Sequence, residues 1–433
     1  MNQVASAPAR PPILLANPSF FGTLGATRSL GEQGVPVYSA GNGLLDLSRW
    51  SRYTTRALAC PPLEDSGRFV EWLLELGARE PGMVLYPTSD ETAFLYALHQ
   101  EELSRVYRTY QPSFDAILAV LDKKRLYEHA RAVGMDVPET WFPESIADVE
   151  RIGRETEMPL LIKPRTQVLS NTHSKGIIVR ERAELSARYQ DLVRHTVYGK
   201  AVLEHFPEAP RAMLQRYLPE GSDQIYVLAA FLDRSGKHFA ARSAMKIFQR
   251  PRSLGIGLCF EEAPLDPEVA EAARRLALAC GYHGLFQLEL IKVGDRFLLI
   301  DFNPRFYNQL AFDVARGLPL PQLVYSAALG RDEEVARMIA AAKTQHDDGR
   351  RVFCNDFGLG TMLLLQRIAG RMTHDETAHW RAWKAQHRKL AIDPARVPGD
   401  PVPGYVDVFA QLYGYARHPR AFVRKIVLDH TPP

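Results

Sequence analysis

The chain has 433 residues, enough for two or three domains, and its 46% hydrophobic and 24% charged residues are typical of a water-soluble globular protein. A formal net charge of +3 gives no reason to expect a nucleic-acid partner, and no apolar run approaches the roughly 20 residues of a membrane helix. Four widely spaced cysteines predict neither a zinc site nor a disulfide framework. These features favour a cytoplasmic location, with residues 1–12 as a loose leader and not a signal peptide.

The first part of the chain alternates short apolar strands with helices. Strands are predicted at residues 13–16, 35–38 and 83–86, and helices at 26–33 and 91–103. Such alternation is typical of a parallel, Rossmann-like sheet, which we assign to residues 1–112. Gly22 and Gly25 are a fragment of a dinucleotide-binding fingerprint without its acidic partner, so they predict a simple turn at residues 20–25.

The middle of the chain mixes helices with strands. Helices are predicted at 113–134, 146–157, 185–195 and from Pro267 to a stop at Gly281, and strands at 158–164, 213–218, 225–232 and 239–248. This pattern predicts an α+β region. After Gly330 the sequence becomes charged and helical in pattern, so residues 331–433 are predicted to form a helical C-terminal extension.

Two strands close to residue 290 carry acidic side chains on one face. Alternation in residues 285–291 places Glu289 opposite the apolar side chains, and in residues 297–303 it does the same for Asp301 and Asn303. An odd-length hairpin turn would set Glu289 directly across from Asp301, where two carboxylates repel each other unless a cation lies between them. Oxygen ligands that include an amide favour Mg²⁺, which also binds phosphates. This hairpin therefore predicts a metal–nucleotide site.

An ordered set of motifs runs through the middle of the chain. The set comprises Leu-Asp-Lys-Lys-Arg-Leu-Tyr at 121–127, Val-Gly-Met-Asp-Val-Pro at 133–138, Pro-Leu-Leu-Ile-Lys-Pro at 159–164, Gln-Arg-Tyr-Leu-Pro-Glu-Gly at 215–221, Gly-Leu-Phe-Gln-Leu-Glu at 284–289 and Ile-Asp-Phe-Asn-Pro-Arg at 300–305. In this order the motifs resemble the ATP-grasp superfamily, and in particular its carboxylate–amine ligases with a Rossmann-like pre-grasp domain. The resemblance implies an α/β and α+β chain: a Rossmann-like N-terminal domain, a two-subdomain ATP-grasp fold at 113–330 (about 113–205 and 206–330) and a mainly helical C-terminal region.

The resemblance assigns several side chains to the phosphates of ATP. Lys123, with Lys124 as the neighbouring alternative, and Lys163 match two lysines that touch the phosphates, a task that suits flexible point cations. Residues 165–176 match the phosphate-covering loop of the family, although here that loop contains a single glycine. Its candidate phosphate ligands are Ser170 and Lys175.

The resemblance also implies which residues bind the adenine base and the ribose of ATP. The residues implied are Gln215, Arg216, Tyr217 and Leu218 for adenine and Asp223 for the ribose. Gln215 stands where many relatives have Glu and still offers an acceptor oxygen to the amine of adenine. The backbone groups of Arg216 and Leu218 are expected to bind the edge of the ring.

Metal ligands and catalytic cations follow from the same resemblance. Glu289, Asp301 and Asn303 match the Mg²⁺ ligands, with Mn²⁺ as an alternative metal. Arg305 matches the arginine that steadies the transferred phosphate or an oxyanion, a task that suits its planar guanidinium. Further candidates are Lys246, Arg250 and Arg252 for the γ-phosphate or an acceptor carboxylate, and His173 as a base.

The reaction that the resemblance implies has two steps. A substrate carboxylate attacks the γ-phosphate of ATP to give an acyl phosphate, and an amine then displaces phosphate to form an amide. The expected partners are a small-molecule carboxylate and amine, with a homodimer and membrane-surface contact through the basic tail at 415–425 as weaker options. A carboxylate–thiol ligase, a bicarbonate-using carboxylase and a catalytically silent Mg-ATP-binding regulatory or scaffold protein stay open as alternatives.

Overall fold

A computed structural model describes residues 10–172, 175–252, 254–345, 350–423 and 427. The candidate base His173 lies outside the described residues, as do residues 1–9 of the expected leader. In the part of the chain that is described, every helix is too short or too polar to cross a lipid bilayer.

The N-terminal domain is built on a five-stranded parallel sheet. Its strands are β1 (Ile13–Leu15), β2 (Val37–Ala40), β3 (Thr54–Leu58), β4 (Val84–Leu85) and β5 (Arg108–Thr109), in the order β3-β2-β1-β4-β5. Its helices are α1 (Phe21–Glu32), α2 (Ser66–Arg79), α3 (Asp90–Leu98) and α4 (Gln100–Ser104), with a 3₁₀ helix at Leu47–Trp50. All four strand pairs are parallel, so the predicted Rossmann-like sheet is confirmed. The strand order reverses between β1 and β4, which opens a crevice at their carboxyl ends.

Helix α1 begins where the sequence predicted a turn. It starts at Phe21 and contains both Gly22 and Gly25, which allow a close approach between segments. A Cβ on Gly22 would lie 2.6 Å from the carbonyl oxygen of Tyr307, and one on Gly25 would lie 3.3 Å from the amide nitrogen of Ala311. The predicted turn was therefore wrong: the two glycines let the N-terminal domain dock against the chain that follows β14.

The second sheet is antiparallel and has four strands in the order β6-β9-β7-β8. Its strands are β6 (Thr140–Trp141), β7 (Leu160–Pro164), β8 (Ile177–Val179) and β9 (Ala212–Arg216), and the helices of this stretch are α5 (Phe114–Leu121), α6 (Lys123–Ala132), α7 (Ile146–Glu155), α8 (Leu185–His195) and α9 (Lys200–His205). We call residues 140–216 the small lobe. Because β9 pairs with β7, the small lobe runs past residue 205, where the sequence placed the subdomain boundary.

The single helix predicted at 113–134 is two helices, α5 and α6, separated at Asp122. The Asp122 carboxylate caps α6 by accepting a 3.0 Å hydrogen bond from the backbone N–H of Lys124. The break leaves the same carboxylate free to bind Arg165, which lies just after β7. As a result, Lys123 occupies the first turn of α6, beside the small lobe.

The third sheet is the largest, with seven strands in the order β14-β13-β10-β11-β12-β15-β16. Its strands are β10 (Ile225–Leu232), β11 (Phe239–Arg250), β12 (Ile256–Ala263), β13 (Gly284–Val293), β14 (Arg296–Asn303), β15 (Val352–Cys354) and β16 (Ala391–Ile392), and the helices α10 (Pro267–Ala279), α11 (Leu310–Ala315) and α12 (Leu320–Ala328) accompany it. The range of β10 matches the prediction residue for residue. Asp266 caps α10 as predicted, by accepting hydrogen bonds from the N–H groups of Glu268 and Val269.

The C-terminal region is mainly helical but joins the rest of the fold. Its helices are α13 (Asp332–Thr344), α14 (Asp356–Ile368), α15 (His374–His387), α16 (Val402–Arg417) and α17 (Pro419–Phe422). Strands β15 and β16 also belong to it and extend the large sheet, with Cys354 directly across from Cys259 of β12. The buried side chain of Arg28 in α1 donates a 2.8 Å hydrogen bond to Asp400. The predicted extension is thus part of the main sheet and is tied to the N-terminal domain.

Replacing Gly22 with alanine tests the close approach of α1. Alanine at an open helical glycine raises stability by about 1 kcal/mol. At Gly22 the new Cβ would meet the Tyr307 backbone at 2.6 Å, so we expect unfolding to become easier by about 1–3 kcal/mol, measured as a lower midpoint of thermal unfolding. The matched control is Gly360→Ala in α14, because nothing lies within 4 Å of that Cβ position. A Gly22→Ala protein as stable as the control would contradict this packing.

Candidate active site

Glu289 of β13 and Asp301 of β14 lie directly across from each other, as predicted. The turn between the strands is a two-residue turn at Gly294 and Asp295, which by itself would pair Glu289 with Ile300. A bulge at Ile300 adds one residue to β14 and brings Asp301 into place. The predicted pairing was therefore right, but the odd-length turn proposed for it was wrong. We call β13 and β14 the acidic hairpin.

The bulge also changes which side chains of β14 face the site. Simple alternation placed Ile300 on the face opposite to Asp301, whereas both side chains line the same cleft. Leu299 and Phe302 belong to the main hydrophobic core, where both are almost fully buried, and Phe302 also touches the cleft. The extra residue breaks the period of two, which pattern reading on a single strand takes for granted.

Each carboxylate of the acidic hairpin is paired with a lysine. Lys123 Nζ contacts Asp301 Oδ1, and Lys246 Nζ lies 2.9 Å from Glu289 Oε2. Burial alone would raise the pKa of Asp301, but the charge and hydrogen bond of Lys123, together with the charges of Lys175 and Lys163, outweigh it and lower that pKa to about 2. Burial and the charge of Lys246 compete in the same way at Glu289, whose pKa is also lowered. Both carboxylates are therefore ionised, which is the state a metal cation requires.

Two further lysines reach the same cleft from the small lobe. Lys163 lies on β7, and Lys175 lies near the end of the predicted phosphate loop and donates a 3.2 Å hydrogen bond to the carbonyl of Gly255. Burial, followed by the nearby charge of Lys123, lowers the pKa of Lys163 to about 8. Together with Lys246, four lysines line the cleft beside the two hairpin carboxylates. Such a concentration of positive charge suits a ligand with several negative charges, such as a polyphosphate.

Asp122 and Arg165 fix the position of Lys123 relative to Lys163. Nε and Nη2 of Arg165 each donate a 2.6 Å hydrogen bond to Asp122, whose side chain is fully buried. The carbonyl of Arg165 also accepts a 3.1 Å hydrogen bond from the backbone N–H of Lys123. This bidentate pair joins the start of α6 to the end of β7, and so it positions Lys123 relative to Lys163. Sequence reasoning missed it, although an Asp inside an apolar helical run is a recognisable helix cap.

Arg305 is held by the N-terminal domain. Its Nε donates a 3.0 Å hydrogen bond to Asp90 Oδ1, and its Nη2 donates a 2.8 Å hydrogen bond to Asn303 Oδ1. The amide nitrogen of Asn303 donates in turn to Gln287 Oε1 at 3.0 Å. The structure thus brings Arg305 and Asn303 together and adds Asp90, which sequence reasoning did not assign. Its place at the start of α3, after the loop that leaves the carboxyl end of β4, is the signal that could have found it.

Gln215 lies where base recognition was predicted, and its side-chain amide is held in one orientation. Its Nε2 donates to Tyr127 Oη at 3.2 Å and to Thr140 Oγ1 at 3.0 Å. The hydroxyl of Tyr127 donates onward to the carbonyl of Ile300 at 3.3 Å, so it acts as the acceptor towards Gln215. These directions leave the amide oxygen of Gln215 for a donor in the cleft, which is what an exocyclic amine requires.

The segment after Gln215 also lines the cleft, through Arg216, Tyr217 and Leu218. The backbone N–H of Arg216 donates a 2.9 Å hydrogen bond to the carbonyl of Glu139. Of the two backbone groups of Arg216, only the carbonyl can therefore bind a base. Asp223 is exposed and does not line the cleft. The structure therefore does not bring the predicted ribose ligand to the other nucleotide residues.

Two further candidates, Ser170 and Arg252, do not line the cleft that holds the four lysines. Ser170 lines an adjoining chamber, where its hydroxyl donates a 2.9 Å hydrogen bond to the carbonyl of Gln167. Arg252 lies over the ring of Phe248 and 3.5 Å from Glu376 of α15, and it lines neither the cleft nor the chamber. The carboxylate that attracts Arg252 is more than a hundred positions away in the chain, so no local pattern could have revealed it.

The four lysines and the two hairpin carboxylates line a cleft between the small lobe and the large sheet, which we call the central cleft. Apolar side chains, including Leu161, Ile225 and Ile291, share its lining with the lysines and the hairpin carboxylates. The lining thus offers an apolar surface for a flat base and a cationic surface for phosphates.

No family model matches the chain. Among curated proteins, a carbamoyl phosphate synthase large chain of Thermus thermophilus is 26% identical over 228 residues, which cover 50% of this chain and 20% of that protein. The chain therefore spans about a fifth of the length of the curated relative that it matches.

Solved structures give wider coverage at lower identity. The L-amino acid ligase from Bacillus licheniformis shares 13% identity and a TM-score of 0.58, with 79% of each chain covered. The biotin carboxylase domain of the Hydrogenobacter thermophilus 2-oxoglutarate carboxylase, solved with MgADP, ADP and bicarbonate, shares 18% identity and a TM-score of 0.57 over 73% of this chain and 69% of that one. At these identities the likeness concerns the fold, which agrees with the ordered motifs and with the paired lobes around the central cleft. The predicted ATP-grasp fold is thereby confirmed.

Proposed function

We propose that this protein is an ATP-dependent ligase that activates a substrate carboxylate as an acyl phosphate and joins it to an amine, with release of ADP and phosphate. The observation that carries the proposal is the central cleft, where four lysines surround the opposed carboxylates Glu289 and Asp301. Lysines alone would suffice to bind a nucleotide. The two ionised acids add a place for a divalent cation beside the phosphates, which phosphoryl transfer needs.

The side chains of the cleft would neutralise the charge of ATP. Lys163 and Lys175 come from the small lobe, whereas Lys123 and Lys246 come from the body of the protein, so bound phosphates would draw the two parts together. Arg305, already oriented by Asp90, would offer its planar donors to the transferred phosphate or to an oxyanion.

Glu289, Asp301 and Asn303 fit a hard divalent cation, because they supply two ionised carboxylates and an amide oxygen. Bound Mg²⁺, with Mn²⁺ as the alternative, supplies neutralisation of the negative charge that develops on the phosphates. Lys123, Lys246 and Arg305 contact these oxygens in the structure, and they would be released to bind phosphate when a cation replaces them.

In the first step the substrate carboxylate attacks the γ-phosphorus, and the bond to the bridging oxygen breaks with ADP as the leaving group. In the second step the amine attacks the acyl carbon and phosphate leaves. An acyl phosphate must be kept from water between the two steps. The small lobe, which carries Lys163, is the part of the fold that could close over it.

The central test is ADP release by the purified protein with Mg-ATP and with acids and amines offered singly and in pairs. Bicarbonate belongs among the acids, because the biotin carboxylase domain above holds it in its structure. We expect ADP only when an acid and an amine are both present, and a product mass equal to their sum less one water. Mg-ATP binding without turnover on any pair would favour the scaffold alternative, and a thioester product would favour the thiol alternative.

Asp301→Asn tests the acidic hairpin. Loss of the charge removes a metal ligand and the partner of Lys123, so we expect ADP release to fall by about 10²–10³-fold while the thermal unfolding profile still shows a folded protein. The control is Asp295→Asn, an exposed aspartate in the turn of the same hairpin, which should keep full activity. Normal turnover by Asp301→Asn would remove the metal assignment.

The lowered pKa of Lys163 predicts how nucleotide binding depends on pH. Lys163 titrates near pH 8 in the free protein, and bound phosphates favour its charged form. Affinity for ATP should therefore be full below pH 8 and fall above it, by up to about tenfold per pH unit. Titration of a fluorescent ATP analogue on both sides of pH 8 measures this slope. Lys163→Arg keeps its charge in this range and should flatten the profile, whereas an unchanged slope would assign the titration to another group.

We also propose that the protein is a cytosolic homodimer. The support is an exposed apolar stripe on α16, where Tyr405, Phe409 and Leu412 are 76%, 61% and 53% exposed. In the basic tail, Tyr415 and Phe422 pack on the body of the protein, so the support for membrane contact is the basic charge alone. Light scattering after size exclusion, with and without anionic vesicles, separates a dimer from a membrane-bound monomer.

A further inference from the structure

A second chamber opens beside the central cleft, and we call it the outer chamber. The two spaces share Asp90, Gln167, Lys175, Leu254 and Gly255, so a molecule in the outer chamber can reach the phosphate end of the cleft. Its walls come from the N-terminal domain at the ends of β1 and β4, from the small lobe, and from β11 and β12. With about 2360 Å³ up to its open mouth, it has room for a substrate much larger than bicarbonate.

Arg250 is a half-buried cation in the wall of this chamber. Its Nη1 donates to two neutral groups of α16, Gln411 Oε1 at 3.4 Å and Tyr415 Oη at 3.3 Å. Gln411 is itself fixed by 3.0 Å hydrogen bonds from its amide nitrogen to both carboxylate oxygens of Asp407. Within the described residues no carboxylate lies within 4.0 Å of the Arg250 guanidinium, so its charge is available to an anionic ligand.

The same chamber carries exposed apolar side chains from all three walls. Phe20 of the N-terminal domain is 42% exposed, Val197 of the small lobe 61% and Ile256 of β12 53%. Leu63 and Leu169 are half-buried in the same lining. Large apolar side chains that converge on one concave surface, and not scattered over the exterior, indicate a ligand with an apolar part.

The N-terminal wall is acidic. Asp90 is neutralised by Arg305, at 3.0 Å, but Glu64 and Glu91 also line the chamber. Glu91 follows Asp90 in the chain, so it lies on the Arg305 side of the chamber, where the acyl phosphate would form. A cationic amine is the group that this wall suits, whereas Arg250 on β11 suits an anion.

We propose that the outer chamber binds the amine substrate, and that this substrate is an amino acid or short peptide with an apolar side chain. Its carboxylate binds Arg250, its amine lies towards Glu91 and Arg305, and its side chain packs against Phe20 and Ile256. The reaction of this substrate rests on the proposed function above, but its binding does not.

The step balances without a further reactant. The bound ammonium first gives a proton to water, and the uncharged amine nitrogen then attacks the acyl carbon and forms the C–N bond; the second proton that this nitrogen loses passes to the departing phosphate. The C–O bond to phosphate breaks, and phosphate leaves with the electron pair. The anchored carboxylate of the amine substrate takes no part in the chemistry, so its role is in binding.

Arg250→Gln is the first test. We expect the KM for leucine to rise by about 10- to 100-fold, because a charge-assisted hydrogen bond is lost, while the KM for ATP and kcat stay nearly unchanged. Arg250→Lys should recover part of the affinity, since it restores the charge without the fork. Arg234→Gln, in the turn at the opposite end of β11, is the matched control and should behave as the unchanged protein. An Arg250→Gln enzyme with a KM within twofold of normal would overturn the proposal.

Ile256→Ala is the second test. Removing the larger part of an apolar contact should lower kcat/KM for leucine by about tenfold and leave that for glycine unchanged. Leu278→Ala is the control, because Leu278 is a 44% exposed apolar residue of α10 outside the chamber. A preference for glutamate or lysine over leucine, or equal use of amines that lack a carboxylate, would contradict the apolar amino acid.

Calorimetric titration of leucine in the presence of ADP and Mg²⁺ separates this inference from the proposed function. Leucine binding that is weakened by Arg250→Gln, with no ADP release on any substrate pair, would support the chamber and defeat the ligase reaction. ADP release with other amines, but no leucine binding and no leucine product, would do the reverse.

Discussion

The repulsion between two buried carboxylates on neighbouring strands is the constraint around which this protein is arranged. Glu289 and Asp301 face each other across the acidic hairpin, and the ligand-free fold balances them with Lys246 and Lys123. The two lysines come from β11 and from the start of α6, so the balance of charge also joins a strand and a helix to the hairpin. A buried charge that loses its partner costs several kcal/mol, so replacing a lysine or a carboxylate of these pairs alone lowers the stability of the protein.

Three parts of the chain contribute to the site, and each is held by a specific contact. The bidentate pair of Asp122 and Arg165 ties α6 to the small lobe. Asp90 of the N-terminal domain accepts a hydrogen bond from Arg305, and the glycines of α1 let that domain pack closely against the chain that follows β14. Gln411 of α16 contacts Arg250 from the C-terminal region. The site therefore lies where these parts of the chain meet, and residues far apart in the sequence set its geometry.

The elements with strong local signals were predictable from the sequence. The continuous apolar strand β10 matched its predicted range, as did the helix α8, and the cap of α10 was recognised from Asp266 and Pro267. Alternation also placed the Glu289 and Asp301 side chains on one face of the hairpin, although their direct pairing depends on a bulge that the sequence did not reveal. In each case the signal lay within a few residues of the structure that it specified.

The remainder depends on contacts that local patterns do not contain. The glycines of α1 read as a turn because their partner, Tyr307, is almost three hundred positions away. Strand β12 shows no clear alternation of apolar and polar residues and was not predicted, and β15 and β16 are too short for a sequence pattern to reveal them. Arg250 and Arg252 look equivalent in sequence, but α16 supplies neutral partners to the first and α15 a carboxylate to the second. Asp223 was assigned by analogy of position, and the turn that follows β9 carries it to the surface.

Strands β15 and β16 protect the edge of the large sheet, so their removal would affect any truncated form of this protein. A chain cut after residue 330 would leave β12 as a bare edge, with a row of unpaired N–H and C=O groups and the apolar side chains of Phe260 and Leu258 beside it. Such an edge invites pairing with another molecule, so the ATP-grasp portion taken by itself would aggregate even though the acidic hairpin would be complete. The last hundred residues therefore act as a cover for the sheet as well as a support for Arg250.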